Sequence, residues 1–102
     1  TTVTRAAGLA FTKALSKELA PHQILVNTVC IGSVRAAQHD TKAAKAGIAP
    51  EQLYANMAKD IPLGRVGRAE EVANAIAFLA SGAASYITGS SINLDGGTSA
   101  VL

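Results

Sequence analysis

Two short strand-like segments, separated by helix-forming sequence, constrain the fold more than any other feature of this chain. Residues 24–29 read ILVNTV, a nearly continuous apolar run typical of a strand buried on both faces of a parallel sheet. Residues 91–95 read SINLD and predict a second short strand, which Gly96 and Gly97 close. Strands joined through helices in this way form a right-handed βαβ unit. Because two strands are too few for independent stability, the sequence predicts the edge of a doubly wound parallel sheet.

Three helices are predicted around these strands. The first covers residues 4–20, ends before a proline, and carries apolar side chains at intervals of four: Ala7, Phe11, Leu15 and Leu19. The second covers residues 50–59, and the third starts at Glu70 and ends at Gly82. Residues 30–47 mix small and polar side chains, and they predict a loop with about one helical turn.

Composition excludes several function classes. The 102 residues make one small domain or part of a larger one, and 49% hydrophobic against 16% charged residues excludes a disordered tail. A net charge of +2 and two residues each of Phe and Tyr do not supply the basic, stacking surface of a nucleic-acid-binding protein. The longest apolar run in the uncharged part of the chain, residues 75–80, is too short to span a membrane. Neither nucleic acid nor a membrane is therefore a predicted partner.

Metal and disulfide sites are not predicted either. His22 and His39 lie apart, with no acidic or cysteine partner at ligand spacing. Cys30 is the single cysteine, which excludes an internal disulfide and makes a reducing cytoplasm the expected location. Residues 1–7 show no apolar segment of the kind that a secretory signal contains.

Several segments, taken in order, resemble the short-chain dehydrogenase/reductase family. They are FTKAL and ELAP within residues 11–21, ILVNTV at 24–29, IPLGRVG at 61–67, EEVA at 70–73, FLAS at 78–81, and YITG with DGG within 86–97. The resemblance covers residues 1–102. It implies that they form the carboxyl-terminal βαβ portion of a single α/β, Rossmann-type domain. It also implies a homo-oligomeric oxidoreductase that moves a hydride between NAD or NADP and an alcohol or carbonyl substrate.

The family's catalytic Tyr-x-x-x-Lys motif is not matched where the resemblance implies it. Alignment places Thr1 at the tyrosine and Arg5 at the lysine. An alkyl hydroxyl has a far higher pKa than a phenol, so no residue of this chain is predicted to be catalytic. Either the parent protein is a divergent member, or the alignment slips at this end of the chain. Arg5 keeps the positive charge and is a candidate contact to the cofactor ribose, the alternative being a surface charge.

A second group of candidates follows the first predicted strand. The family shows Pro-Gly-x-Ile/Val-x-Thr there, and its backbone bonds the nicotinamide carboxamide. Gly32 and Val34 fit this pattern, whereas Ile31 replaces the proline and Ala36 the threonine. Because backbone contacts survive side-chain changes, the resemblance implies that Ile31, Gly32 and Val34 bind the cofactor. The alternative is an ordinary turn between strand and loop.

Two other interpretations stay open. The nine glycines include no phosphate-binding loop of the dinucleotide-binding type, so the isolated chain is predicted to be inactive. A non-catalytic binding or scaffold protein that keeps the fold would also account for Thr1 and Arg5. A carboxyl-terminal module that assembles with other chains is the third interpretation.

Overall fold

The computed structural model describes residues 2–100, which form four helices and two strands. In chain order these are α1 (Thr2–Leu19), β1 (Thr28–Ile31), α2 (Ala37–Lys45), α3 (Pro50–Ala58), α4 (Ala69–Leu79) and β2 (Ser91–Leu94). Short 3-10 turns follow α1 at Ala20–His22 and precede β2 at Gly82–Ala84.

The two strands pair with each other, and the pairing is parallel. Thr28 N–H donates to the Ser90 carbonyl and Gly32 N–H donates to the Leu94 carbonyl, both at 2.9 Å, so the two strands advance in the same direction. Parallel strands require a crossover connection, and three helices lie between them in the chain. The α/β fold class with a parallel sheet, predicted from the sequence, is confirmed.

The chain divides into two compact units, which are described separately. Unit 1 contains the residues up to Cys30 together with Asn74–Ile92. Unit 2 contains Ile31–Ala73 and the residues from Asn93 onward.

In unit 1, α1 is packed through two small polar side chains. Thr12 is 9% exposed and Ser16 is 3% exposed. Thr12 Oγ1 donates to the Gly8 carbonyl at 2.9 Å and shares a 2.6 Å hydrogen bond with Thr28 Oγ1. Phe11 is 66% exposed, so the apolar series at intervals of four does not mark the packed face of this helix.

The first strand starts at Thr28, later than the apolar run predicts. Val26 and Asn27 bond instead to the loop before β2: Val26 N–H donates to Thr88 Oγ1 at 3.0 Å, and Asn27 Nδ2 donates to the Ile87 carbonyl at 2.9 Å. These bonds hold Val26 and Asn27 against the loop, outside the ladder of the two strands. The prediction of a strand over residues 24–29 is therefore correct only at its end.

In unit 2, α2 occupies a segment for which the sequence predicts a loop with about one helical turn, and that prediction is wrong in extent, because the helix has nine residues. Ala43 is its fully buried residue, and the helix packs against α3. Alanine is the strongest helix former, but its small side chain leaves little hydrophobic periodicity to detect. The helix was missed because its buried residue, Ala43, is small and most residues around it are polar.

The last two helices begin close to where the sequence predicts. Pro50 is in the first turn of α3, where its missing N–H costs no hydrogen bond. Glu70 and Glu71 are in the first turn of α4, where negative charge opposes the helix dipole. Within residues 2–100, no helix combines the length and the hydropathy that crossing a bilayer requires.

Candidate functional site

Residues 31–36 comprise the last residue of β1 and the segment after it, at the carboxyl end of the parallel strands, which is where open α/β sheets bind their ligands. Ile31 is the last residue of β1 and is 44% exposed. Gly32 comes next and is tied to β2 through the bond to the Leu94 carbonyl. The structure therefore places three of the four cofactor candidates, Ile31, Gly32 and Val34, in one segment of unit 2.

Val34 forms an isolated parallel bridge with Gly67. Arg35 N–H donates to the Gly67 carbonyl at 3.0 Å, and Gly67 N–H donates to the Ser33 carbonyl at 2.9 Å. Both bonds use the neighbours of Val34, so its own N–H and C=O point away from Gly67. For these two groups the described residues supply no hydrogen-bond partner. Half-buried Val34 thus presents one free backbone donor and one free backbone acceptor.

Packing alone requires glycine at position 32. A Cβ there would lie 2.7 Å from Asp95 Cβ and 2.8 Å from Asp95 Cα, closer than real side chains approach. Asp95 is itself held, because its carboxylate accepts from Gly97 N–H at 2.9 Å and from Ser99 N–H at 3.0 Å. Gly32 is therefore needed for close packing against Asp95, whether or not it also contacts a cofactor.

A cavity of about 540 Å³ opens beside the segment, within unit 2. Ser33 and Val34 line it, together with several apolar side chains: Ile61, Pro62, Leu63 and Val72. The end of β2 and the residues after it, 93–97, complete the wall. This volume is in the range of small-molecule sites, roughly 300–1,000 Å³.

One side of the cavity wall carries an ion-paired group of Arg65, Arg68 and Glu71, and Asp95 is a further charged residue in the lining. Arg65 donates to both oxygens of the Glu71 carboxylate, at 2.7 and 2.9 Å, and Arg68 N–H donates to Oε2 at 2.8 Å. The bonds from Arg65, followed by that from the Arg68 backbone, lower the pKa of Glu71 to about 2. Glu71 is therefore ionised and engaged at neutral pH, which makes it a poor proton acceptor.

Tyr54 is at the centre of a second polar group in unit 2, and no sequence motif predicts it as a site residue. Tyr54 is 5% exposed, and its hydroxyl lies 2.8 Å from Asp40 Oδ1. Arg35 stacks on its ring and pairs with Glu51, and the hydrogen bond to Glu51 raises the pKa of Arg35. No local pattern identifies Tyr54, because these partners come from other segments of the chain.

The remaining candidates lie elsewhere. Arg5 is exposed on α1 and belongs to unit 1, while Thr1 lies outside the described residues. Among residues 2–100, no group of three or more His, Cys, Asp or Glu side chains is placed to hold a metal ion.

Comparison with known proteins gives matches over nearly the whole chain. The family model for enoyl-(acyl carrier protein) reductase matches residues 1–99. The 3-oxoacyl-[acyl-carrier-protein] reductase FabG of Aquifex aeolicus is 45% identical over 94 residues, which cover 92% of this chain and 35% of that protein. The chain thus spans about a third of the length of the curated relatives that it matches.

Solved structures of similar fold include two NADPH complexes. L-sorbose reductase from Gluconobacter frateurii, bound to NADPH and L-sorbose, matches with a TM-score of 0.89 and 30% identity, covering 98% of this chain and 40% of that one. An NADPH-bound short-chain oxidoreductase from Pseudomonas aeruginosa, described as containing an atypical catalytic centre, matches with a TM-score of 0.82 and 36% identity. That match covers 98% of this chain and 38% of the other.

Proposed function

We propose a function from one premise: the chain belongs to the short-chain dehydrogenase/reductase family of oxidoreductases. The full-length protein that carries these residues transfers a hydride between a nicotinamide cofactor and the carbon of an alcohol or carbonyl substrate. The 102 residues supply the nicotinamide-side segment that follows β1. Alone they do not turn over a cofactor, since their sequence holds no glycine-rich phosphate-binding loop.

The observation that supports this proposal best is the free N–H and C=O of Val34 at the carboxyl end of the strands. A carboxamide presents one carbonyl acceptor and one NH₂ donor, which are the complement of these two backbone groups. The residues present therefore fit a nicotinamide. When bound, that ring supplies the carbon that gives or takes the hydride. The role of Ile31, Gly32 and Val34 is to orient it, with Gly32 holding the segment against Asp95.

The relatives favour particular choices of cofactor and substrate. Two similar structures are NADPH complexes, which favours NADP over NAD. The curated relatives named 3-oxoacyl-[acyl-carrier-protein] reductases favour a ketone as the group that is reduced. We therefore place 3-oxoacyl thioesters first among the substrates to be tested.

Arg5 is proposed to contact the cofactor ribose through its guanidinium. It is exposed on α1, and its planar guanidinium presents several donors to a hydroxyl group. An Arg5→Ala variant of the full-length protein is expected to bind NADPH about 3- to 10-fold more weakly, the size of one net hydrogen bond. Unchanged affinity would identify Arg5 as a surface charge.

A non-catalytic binding or scaffold protein is the second candidate. Thr1 and Arg5 at the positions of the family's tyrosine and lysine favour it. The Pseudomonas aeruginosa short-chain oxidoreductase with an atypical catalytic centre binds NADPH, which supports the view that an unusual catalytic centre is compatible with cofactor binding.

The decisive experiment separates binding from turnover in the full-length protein. NADPH and NADH are titrated by nicotinamide fluorescence, and NADPH consumption is followed with a panel of ketones that includes a 3-oxoacyl thioester. Binding with turnover supports the oxidoreductase. Binding without turnover favours the non-catalytic candidate, and absence of binding rejects the proposal.

Two substitutions at position 34 test the backbone contact itself. Val34→Pro removes the Val34 N–H, which donates no hydrogen bond to the described residues. The variant is expected to weaken NADPH binding by about fivefold or more. Val34→Ala keeps that N–H and is the matched control, expected to bind as the wild type does. Equal affinities of the two variants would exclude the backbone contact.

Assembly and location are also proposals. Val3 and Phe11 on α1 are 83% and 66% exposed, and an apolar surface of this kind favours a homo-oligomer. Ala10→Glu on the same helix is expected to shift the full-length protein to smaller species in light scattering. An unchanged mass would place the interface elsewhere. We expect the protein to work in the cytoplasm.

A further inference from the structure

Tyr54 is a buried tyrosine that the proposed function does not use. It lies on α3 and touches the segment that joins Val34 to α2. Its oxygen is 3.4 Å from Ala36 N, 3.3 Å from the Ala36 carbonyl oxygen and 2.8 Å from Asp40 Oδ1. The side chain thus connects α3 to both the beginning of α2 and the residue before it.

The hydroxyl has one hydrogen, which decides how these contacts divide. Asp40 is the nearest acceptor, and a charged acceptor makes the stronger bond, so the hydrogen is donated to Asp40. The oxygen is then free to accept from Ala36 N–H. Asp40 therefore holds the hydroxyl in the orientation in which it accepts from the backbone of the segment.

The ring of Tyr54 is held from two sides. The Arg35 guanidinium carbon lies 4.3 Å from the ring centroid, and the His39 ring packs edge-on with the two centroids 6.2 Å apart. At this distance the guanidinium and the ring are in cation–π contact. Consecutive residues 35 and 36 are thus bound by one side chain, through the ring and through the hydroxyl.

The other anchors of the segment are backbone hydrogen bonds. Gly32 is tied to Leu94, and the residues on either side of Val34 are tied to Gly67. Ala36 is the N-cap residue of α2, and its own side chain makes no capping hydrogen bond. At this end of the segment, Tyr54 is therefore the anchoring side chain that the described residues provide.

We propose that Tyr54 is a positioning residue, whose hydroxyl fixes Ala36 and thereby the direction of the free Val34 N–H and C=O. This inference rests on the proposed function, because Val34 matters only if it meets the cofactor. Tyr54 acts through the segment and does not contact the cofactor itself.

Tyr54→Phe in the full-length protein removes the hydroxyl and keeps the ring under Arg35. Hydrogen exchange at the Ala36 amide, read by NMR, is expected to be about tenfold faster or more, since that N–H loses its acceptor. The Kd and KM for NADPH are expected to rise about 3- to 10-fold with kcat little changed, which corresponds to one net hydrogen bond. Tyr86→Phe is the matched control, because Tyr86 is fully exposed and loses the same atom.

Two variants of Asp40 make the test independent of Tyr54 packing. Asp40→Asn keeps an acceptor oxygen and is expected to bind NADPH as the wild type does, whereas Asp40→Ala is expected to resemble Tyr54→Phe. A purely structural role would lower the Tm in Tyr54→Phe without changing the Kd of the folded protein.

The two measurements separate this inference from the proposed function. Faster exchange with weaker NADPH binding supports it. Unchanged exchange at Ala36, or faster exchange with unchanged NADPH affinity, overturns it. If the wild type binds no NADPH, the proposed function fails and takes the cofactor role of Tyr54 with it, while the exchange result still shows whether the hydroxyl holds the segment.

Discussion

Units 1 and 2 join distant parts of the chain by different kinds of contact. In unit 1 the contacts are small and close: Thr12 bonds to Thr28 at 2.6 Å, and a Cβ on Gly89 would lie 2.5 Å from Ser16 Oγ. In unit 2 the conspicuous contacts are exposed ion pairs: Arg35 with Glu51, beside the buried Tyr54, and Arg65 with Glu71, in the cavity wall.

This difference implies unequal tolerance of substitution. An exposed ion pair contributes ~0–1 kcal/mol, because water and salt screen it and long side chains must be ordered to form it. A backbone that touches a neighbouring side chain leaves no room for added atoms, and it can adapt only by shifting the main chain. Substitutions that add atoms should therefore lower the free energy of unfolding most in unit 1. The contribution of the ion pairs in unit 2 should instead change with pH and salt.

The largest effect is expected for Gly89→Ala in unit 1. Gly89 has a φ of 69°, in the left-handed region, and its Cβ would overlap Ser16 Oγ. The backbone strain of ~1–2 kcal/mol and overpacking of ~1–3 kcal/mol together predict a loss of ~2–5 kcal/mol in the free energy of unfolding. Denaturant unfolding of the full-length protein measures it.

Gly64→Ala separates the two causes of that loss. Gly64 also has a left-handed φ, of 75°, but nothing lies within 4 Å of its Cβ position. Gly64→Ala should therefore lower the free energy of unfolding by the backbone strain alone, ~1–2 kcal/mol. Equal losses for Gly64→Ala and Gly89→Ala would mean that the close packing of unit 1 adds nothing.

Gly32→Ala has the next largest expected effect on stability, and it tests whether the difference between the units holds. Gly32 is in unit 2, yet its Cβ would approach the Asp95 backbone to 2.8 Å. Overpacking is expected to lower the free energy of unfolding by ~1–3 kcal/mol, and NADPH binding is expected to weaken. Gly82→Ala is the control, because Gly82 has free space around it. A large loss would show that sensitivity follows the kind of contact and not the unit.

Thr12→Val removes a hydroxyl from the packed face of α1 at almost constant volume. It breaks the bond to Thr28 and is expected to lower the free energy of unfolding by ~1–2 kcal/mol. Thr41→Val on α2 is the matched control, since Thr41 Oγ1 is exposed and bonds only to the Ala37 carbonyl of its own helix. If both variants lose the same amount, the hydroxyl pair in unit 1 has no special role.

The smallest effect at neutral pH is expected for Glu71→Gln, and it should depend on pH. The folded-state pKa of Glu71 is about 2, below the ordinary 4.5, so its stabilising contribution is present above pH 4.5 and is lost as the pH falls toward 2. The Tm difference between wild type and variant should therefore shrink across that interval. Glu70→Gln, at the neighbouring carboxylate, is the control. A difference independent of pH would contradict the ion-pair assignment.

Much of the fold could be predicted from the sequence, because the signals involved are local. Helix α1 stops before Pro21, α3 starts at Pro50, and α4 carries acidic residues in its first turn. Gly89, which follows the 3-10 turn and precedes β2, has a left-handed φ of 69°, a conformation that glycine adopts at little cost. Of the candidate site, the sequence supplied Ile31, Gly32 and Val34 through their place after a strand; whether they bind a cofactor stays a prediction.

By itself the sequence determined the two strands with α1, α3 and α4 in order, the parallel βα crossover and the family, because caps, prolines, periodicity and motif spacing act over a few residues. The tertiary structure alone decided where β1 begins and that residues 37–45 become α2. It also decided that Asp95 leaves no room for a side chain at Gly32, and that Tyr54 reaches Ala36. Each of these depends on atoms from segments far apart in the chain. Their distances are set only when the segments pack, so no local pattern can encode them.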